Sequence, residues 1–434
     1  MKVRNKKKSL NVITLGCSKN LVDSENLITQ LSANDLQVRH DSDGTDHDVV
    51  IINTCGFIDR AKEESVDTIL EYSKLKQQGD ISELYVMGCL SERYREDLQR
   101  EIPDVDGYFG TTELPQILSA VGVEYRDELL GERITTTPAH YAYLKIAEGC
   151  NRTCSFCAIP LMRGKHISQS IEQLVAQARA HARAGVRELI LISQELTYYG
   201  LDLYKRRALV DLLIALEEVD GIDWIRLHYA YPSKFPREIL DHMASSSKVC
   251  SYLDMPLQHI SDTVLKRMRR QITRSDTQEL IDYARATVPN LTLRTTMLVG
   301  HPGETNAEFD ELCDFVSEGH FDRLGVFQYS HEEDTSAHDM PDDVPASLKE
   351  MRAQTLMEIQ SSISLRHNES LVGKTLRVLI DDRVDGKYRG RTEGDSPEVD
   401  NEVWVEADYL RVGDFYDAVI TDASEYDLFA TVNK

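Results

Sequence analysis

Three cysteines, Cys150, Cys154 and Cys157, fall within the eight-residue stretch CNRTCSFC of this 434-residue chain. The short intervals put three sulfurs on one compact loop, facing a common centre. A cuboidal iron-sulfur cluster normally takes four thiolates and a structural zinc takes four ligands. The next cysteine, Cys250, is more than ninety residues away. Zinc would need a fourth ligand such as His140 or His166. Structural zinc sites usually bring their ligands as two paired knuckles, however, and no second pair is present. A cubane held by three thiolates leaves one iron open, and an open iron is a place to bind a small chelating molecule.

Three more thiols stand at equivalent places near the front of the chain. LNVITLGC ends in Cys17, DVVIINTCGF carries Cys55 and ELYVMGCL carries Cys89. Each is a hydrophobic strand followed by helix-like sequence. In an open parallel sheet the carboxyl ends of strands converge on one crevice, so three thiols arrive at one place. Any one of them alone would read as a small core residue, but recurrence in three successive units argues for a second site. Cys250 and Cys313 lie outside both triplets, on a strand start and a helix, and read as core.

The elements that must position these thiols alternate along the chain. After the front units, the polar stretch GVEYRDELLGERITTTPAH reads as a linker. Six strand segments then follow (YAYLKIAEGC, RELILIS, DWIRLHYA, SYLDMPLQH, TLRTTMLVG and RLGVFQYS), with helical sequence between them. That pattern predicts a parallel sheet curved into a full or partial barrel, with functional groups at strand carboxyl ends. Cys150, the pair Gln194 and Glu195, the pair Gln258 and His259, and the turn from His301 to Thr305 all obey that rule. Gly300 and Gly303 also fit ordinary turns. Beyond the helical segment SLKEMRAQTLMEIQSSISLRHNES, five short strands between Gly, Asp, Ser and Pro turns predict a small β-barrel of oligonucleotide-binding type.

Charge narrows the partners. The formal net charge is −24, which argues against a non-specific polyanion binder, because neutralising phosphates needs clustered Lys and Arg. From Leu371 to Lys434, eight Lys and Arg stand against fifteen Asp and Glu, a net of −7. A basic protein partner fits by complementarity, and the acidic residues Glu398, Asp400 and Glu402 are a candidate docking cluster. Eight cysteines are too sparse for a secreted disulfide scaffold. The basic run MKVRNKKK reads as a charged tail, and no stretch approaches the roughly 20 apolar residues that span a bilayer. A soluble, cytoplasmic protein is expected.

CNRTCSFC after the first barrel strand resembles the radical S-adenosylmethionine enzymes. The three preceding cysteines narrow the resemblance to methylthiotransferases. It covers the chain from about Leu10, and the six-cysteine arrangement is highly specific. TLGCSKNLVDSE, INTCGFIDRAKEESVDTI, CSFCAIPLMRG, YLDMPLQHISDTVLKRMRR and GRTEGDSPEVDNEV look like the branch that modifies an aspartate of ribosomal protein S twelve. The tRNA-modifying branch, the nearest alternative, typically has Gln-Met-Asn where this chain has Ser18-Lys19-Asn20, and its last domain tends to be basic. A non-catalytic iron-sulfur electron carrier is disfavoured, because carriers saturate their irons with cysteine.

The resemblance implies an α/β class with three domains: an N-terminal α/β domain over residues 9–127 with an auxiliary cluster, a radical core over 136–367, and a β-barrel called TRAM over 369–434. It implies two 4Fe-4S clusters, one on Cys17, Cys55 and Cys89 and one on Cys150, Cys154 and Cys157, with S-adenosylmethionine as cofactor. An electron cleaves the cofactor to a 5'-deoxyadenosyl radical that removes hydrogen from an unactivated carbon. The auxiliary cluster presents the sulfur and a second S-adenosylmethionine gives the methyl group. Gln194, Glu195, Arg294 and Gln328 are the expected cofactor contacts. Tyr198 and Tyr199 either line the substrate cleft or pack. A flavodoxin or ferredoxin is the implied electron donor, and a monomer is expected.

Overall fold

The computed structural model describes residues 8–34, 36–43, 47–129 and 131–432. The charged tail, apart from Lys8, lies outside these residues. Two compact units make up the chain. One comprises residues up to Thr137 with Tyr143–Arg152 and Ala158–Ile167; the other comprises Pro138–Ala142, Thr153–Cys157 and everything from Ser168.

The first unit is built in the order β1 (Ser9–Thr14), α1 (Ser18–Ala33), β2 (Gln37–His40), β3 (Val49–Thr54), α2 (Asp59–Gln78), β4 (Glu83–Gly88), α3 (Cys89–Glu101), β5 (Gly107–Tyr108) and α4 (Leu114–Val121). The strands form a parallel sheet in the order β2-β1-β3-β4-β5. Helices cover both faces, so all six residues of β3 are buried and its sequence is a continuous apolar run rather than an alternating one. Val49 and Ile51 pack with Leu27, Leu31 and Leu118 of α1 and α4. Val50 and Ile52 pack on the opposite side with Ile69 and Leu98 of α2 and α3. Strand order reverses between β1 and β3, and α/β sheets open a crevice at such a point.

The expected linker is strapped to α1 rather than loose. Glu25 accepts hydrogen bonds from the Thr136 amide and hydroxyl and pairs with Arg133 at 3.1 Å; Thr29 accepts from the Ile134 amide. Next come β6 (Tyr141–Lys145), β7 (Ala147–Glu148), α5 (Ile159–Arg163) and β8 (Ile167–Ser168), the pair β7 and β8 forming a two-stranded ribbon.

The second unit continues with α6 (Ile171–Arg183), β9 (Glu188–Ile192), α7 (Leu209–Glu217), β10 (Trp224–Leu227), α8 (Glu238–Ser245), β11 (Val249–Asp254), α9 (Asp262–Arg267), α10 (Arg274–Thr287), β12 (Thr292–Val299), α11 (Asn306–Ser317), β13 (Arg323–Gln328) and α12 (Ala346–Glu369). The sheet runs β13-β12-β11-β10-β9-β6, a partial barrel with β9 to β13 paired in parallel. Local sequence starts three of its helices: Ser170 with Gln173, Thr273 with Asp276 and Thr305 with Glu308 each satisfy two otherwise orphaned amides reciprocally. Finally β14 (Thr375–Val384), β15 (Lys387–Arg391), β16 (Glu402–Glu406), β17 (Phe415–Ala423) and β18 (Asp427–Val432) close a barrel that is antiparallel except between β16 and β18. All five strands expected from sequence are present. Among the described residues no helix is long and apolar enough to cross a membrane.

Within the second unit the end of β15 and the loop that follows it to β16 bond to every strand from β9 to β13. Glu188 of β9 sits between Arg226 of β10 at 2.7 Å and Arg391 at 2.8 Å. Tyr252 of β11 donates to Asp400 at 2.7 Å, and Arg294 of β12 pairs with Asp254 at 3.0 Å and Asp400 at 3.3 Å. Arg323 of β13 pairs with Asp395 at 2.7 Å. One sequence expectation changes here. Asp400 is no part of an exposed docking cluster, since its side chain is 1% exposed and spent on this lock. Arg294 stands five residues before the end of β12 and pairs with two carboxylates.

Buried ion pairs add little net stability, but removing one partner strands the other charge away from water, costing about 3–5 kcal/mol. Glu188→Ala therefore lowers unfolding stability by about that amount, because Arg226 and Arg391 lose their shared counter-ion. Lys387→Ala, which breaks an exposed pair with Glu406, costs at most about 1 kcal/mol. Urea titration of the two variants checks the contrast. Burial pushes the Glu188 carboxyl up, but Arg391 and Arg226 outweigh it and hold the group below its ordinary value. The stability this depression confers is present above the unfolded carboxyl's pKa and is lost as pH falls through the folded one.

Candidate thiol centres

The first triplet lies at the sheet's switch point. Cys17 caps α1, Cys55 follows β3 directly, and Cys89 opens α3 after β4. Cys17 and Cys89 thus sit at helix amino termini. Gly16, with φ of +93°, leaves room at this point: a Cβ there would lie 2.7 Å from the Cys55 Cβ and 2.9 Å from its Sγ. Burial pushes the Cys55 thiol up and the Cys89 thiol up to about 12, with Cys17 adding to the first shift and Cys17 and Cys55 adding to the second. The three are therefore within electrostatic reach of one another.

Two residues that sequence reasoning passed over hold this triplet. Asn20 donates to the carbonyls of Leu15 at 2.7 Å and Thr54 at 3.1 Å, and its Oδ1 lies 3.7 Å from the Cys89 Sγ. It thereby touches the segments of all three cysteines. Arg163, at the end of α5, donates from Nε to the Cys89 Sγ at 3.3 Å. The phrase Ser18-Lys19-Asn20 was the only signal for the first. Arg163, six residues after the second triplet, lies in the stretch CSFCAIPLMRG, but nothing there linked it to the first triplet.

The second triplet's loop is gripped at its middle. The Ser155 amide donates to the Met268 carbonyl at 3.0 Å, its carbonyl accepts from the Ala337 amide at 2.8 Å, and its hydroxyl bonds the His301 Nε2 at 3.2 Å. Arg270 donates to the Cys154 Sγ at 3.5 Å, with its guanidinium 4.1 Å from the centre of the Tyr231 ring. The Tyr231 hydroxyl lies 3.7 Å from the same sulfur. The Cys150 amide is bound to the Gly164 carbonyl at 3.1 Å. A Cβ on Gly149 would lie 2.1 Å from the Lys165 carbonyl oxygen, so only glycine lets the chain enter this loop.

No three His, Cys, Asp or Glu side chains among the described residues are drawn together closely enough to hold a metal ion as they stand. The donor set nonetheless suits a thiophilic iron centre: burial keeps the Cys55 and Cys89 thiols protonated until a cation displaces the protons, and glycine cradles adjoin both triplets. The His140 Nε2 is engaged by Asp381 at 2.7 Å.

Comparison with known proteins decides the family. A Radical SAM superfamily profile matches residues 144–316, a profile described as an uncharacterized protein family, UPF0004, matches 9–110, and a TRAM domain profile matches 372–432. The chain is 57% identical to the ribosomal protein uS12 methylthiotransferase RimO of Cytophaga hutchinsonii over 99% of both chains. It is 58% identical to that of Christiangramia forsetii over 98% of this chain and 94% of the relative. The chain belongs to the RimO family. Its fold also resembles the radical S-adenosylmethionine methyltransferase TsrM of Kitasatospora setae, solved with tryptophan substrate and a cofactor analogue. There the TM-score is 0.55 at 15% identity, over 74% of this chain and 73% of that one.

The remaining sequence expectations for this RimO family member fall as follows. Gln194 and Glu195 follow β9 after Ser193, and Gln328 ends β13, exposed beside exposed Phe327. Glu195 accepts from the Thr197 amide and hydroxyl, both at 2.8 Å. Gln258 bridges to Met297, and His259 is buried with Nδ1 accepting from the Ser261 amide at 3.0 Å. Burial pulls the His259 imidazole down to about 3 and His301 down to about 4, so both are neutral near pH 7. Gly300 is more than a turn residue, since a Cβ there would lie 2.3 Å from the Lys349 side chain. Tyr199 is buried and donates to the Gln169 carbonyl at 2.8 Å, a packing role. Cys250 is core, packed among Trp224, Tyr252 and Leu379. Cys250→Ala should leave the iron content of the reconstituted protein unchanged, which a colorimetric iron assay checks.

Proposed function

We propose that this chain replaces a hydrogen on the β-carbon of an aspartate in ribosomal protein uS12 with a methylthio group. The similarity over nearly the whole length to proteins named for uS12 methylthiolation carries this reading. The six thiols in two triplets support it. When bound, the clusters and S-adenosylmethionine supply one-electron cleavage, hydrogen abstraction, sulfur and the methyl group. A carbon-hydrogen bond beside a carboxylate is too weakly acidic for side-chain bases, so the protein's part is to bind and orient. Cys150, Cys154 and Cys157 hold one 4Fe-4S cluster, with Arg270 and Tyr231 fixing the Cys154 sulfur. Cys17, Cys55 and Cys89 hold the other. Gln194, Glu195, Arg294 and Gln328 line the S-adenosylmethionine site. The domains span residues 9–127, 136–367 and 369–434, the electron donor is of flavodoxin or ferredoxin class, and the protein works in the cytoplasm as a monomer.

The acidity of the TRAM barrel favours a protein over tRNA as substrate. A segment with net charge −7 would repel a phosphate backbone and attract a Lys- and Arg-rich protein. Because Asp400 is buried, the charge-reversal test belongs on exposed Glu398, Glu406 and Asp408. Replacing those three by Lys should weaken uS12 association most at low ionic strength, where screening is least. Binding measured across a salt series checks this, and tight tRNA binding by the native chain would contradict it. In cells, uS12 from a deletion strain should lack a methylthio group that the restored gene returns. Loss from tRNA adenosine instead would reassign the substrate.

A further inference from the structure

The first thiol triplet has a cation wired to one of its sulfurs. Besides its 3.3 Å bond from Nε to the Cys89 Sγ, Arg163 donates from Nη1 to Asp23 at 2.6 Å and Glu148 at 3.3 Å, and from Nη2 to the Asn20 Oδ1. Its side chain is 3% exposed. Lys145 joins the same carboxylates, bonding Asp23 and, at 2.7 Å, Glu148. Met162, next to Arg163, packs with Ala158 against Cys89. All three faces of the guanidinium are therefore committed, and one of them is committed to sulfur.

A buried arginine with only carboxylate partners is a structural ion pair. Here Nε, the one guanidinium nitrogen whose direction the side-chain stem fixes, is aimed at a thiol, while both terminal nitrogens anchor the group. Hydrogen bonds to cluster sulfurs and net charge beside a cluster set its reduction potential, and outer partners orient its ligands. Each one-electron reduction adds a negative charge, which a neighbouring guanidinium favours.

We propose that Arg163 is a positioning residue for the auxiliary cluster: it fixes the Cys89 sulfur, raises the cluster's reduction potential through its cation and N–H bond, and slows loss of iron. Asp23 and Glu148 moderate that effect by compensating the charge. This inference rests on the two-cluster reading above and extends it to how the second cluster is tuned.

The test uses the full chain with Cys150, Cys154 and Cys157 replaced by Ala, so that the auxiliary cluster is read alone. Iron content, midpoint potential by electrode titration followed by electron paramagnetic resonance, and the rate of iron loss to a chelator are measured after anaerobic reconstitution. Arg163→Gln should lower the potential and weaken iron retention by on the order of ten- to a hundredfold. Arg163→Lys, which keeps charge but loses the directed Nε–H, should fall between Gln and the parent. Asp23→Asn, which leaves Arg163 in place and removes a counter-charge, should raise the potential. It also serves if Arg163→Gln does not fold. Opposite shifts for Gln and Asn support the proposal, since a merely structural role would not move the potential in two directions. Unchanged potential and chelator rate in loaded variants would overturn this inference alone. Absence of iron from the parent would remove the two-cluster reading and this inference with it.

Discussion

Replacing Cys150, Cys154 and Cys157 together by Ala abolishes reductive cleavage of S-adenosylmethionine and lowers the iron of the reconstituted chain from about eight to about four per molecule. The expectation follows from the donor count. On the proposed reading each triplet would supply three thiolates to a cubane and leave one iron for another ligand, so the loss of one triplet would remove one cluster and not both. Only the loop from Cys150 to Cys157 carries the sequence that marks cofactor cleavage. That loop is held independently by Met268, His301 and Ala337 through Ser155. Anaerobic assay of 5'-deoxyadenosine release, with iron determination on the same sample, checks both halves. Loss of all iron, or zinc in place of iron in the native chain, would contradict the two-cluster reading.

Replacing Cys17, Cys55 and Cys89 by Ala has the complementary outcome. Methylthio transfer falls below detection while cofactor cleavage remains measurable. The three thiols belong to the sheet of the first unit and sit at the ends of β1, β3 and β4. Ala fits each site without enlarging it, so the fold survives. Should both triple variants lose cleavage while circular dichroism shows intact folds, the division of labour between the triplets is wrong.

The thiols were legible because each ends a hydrophobic run, and a run's carboxyl end is a local property. The same holds for the five strands of the last barrel and for the barrel helices that carry their own capping pairs. The short polar edge strand Gln37–His40 and the two-residue strand Gly107–Tyr108 were missed, since neither has length or alternation enough to register. The ion pairs of Arg294 were hidden for a different reason. Strand membership was visible, but its level along the strand, and its partner Asp400 more than a hundred residues later, depend on tertiary packing. The signal that was available lay in charged residues inside otherwise apolar strands: Glu188 in ELILI, Arg226 in WIRL and Arg323 in RLGVFQ. Such groups are seldom buried without a partner, so each announced an ion pair without naming it. Arg163 and Asn20 were hidden likewise, because their bonds join segments distant in sequence.

The most direct measurement is the mass of uS12 after anaerobic incubation with the iron-loaded native chain, S-adenosylmethionine and a reductant, with peptide fragmentation to locate the change. The account predicts that one aspartate of uS12 gains a methylthio group in place of hydrogen, with 5'-deoxyadenosine and S-adenosylhomocysteine released. Unmodified uS12 alongside continued cofactor cleavage, with the methylthio group appearing on tRNA adenosine in a parallel reaction, would contradict it.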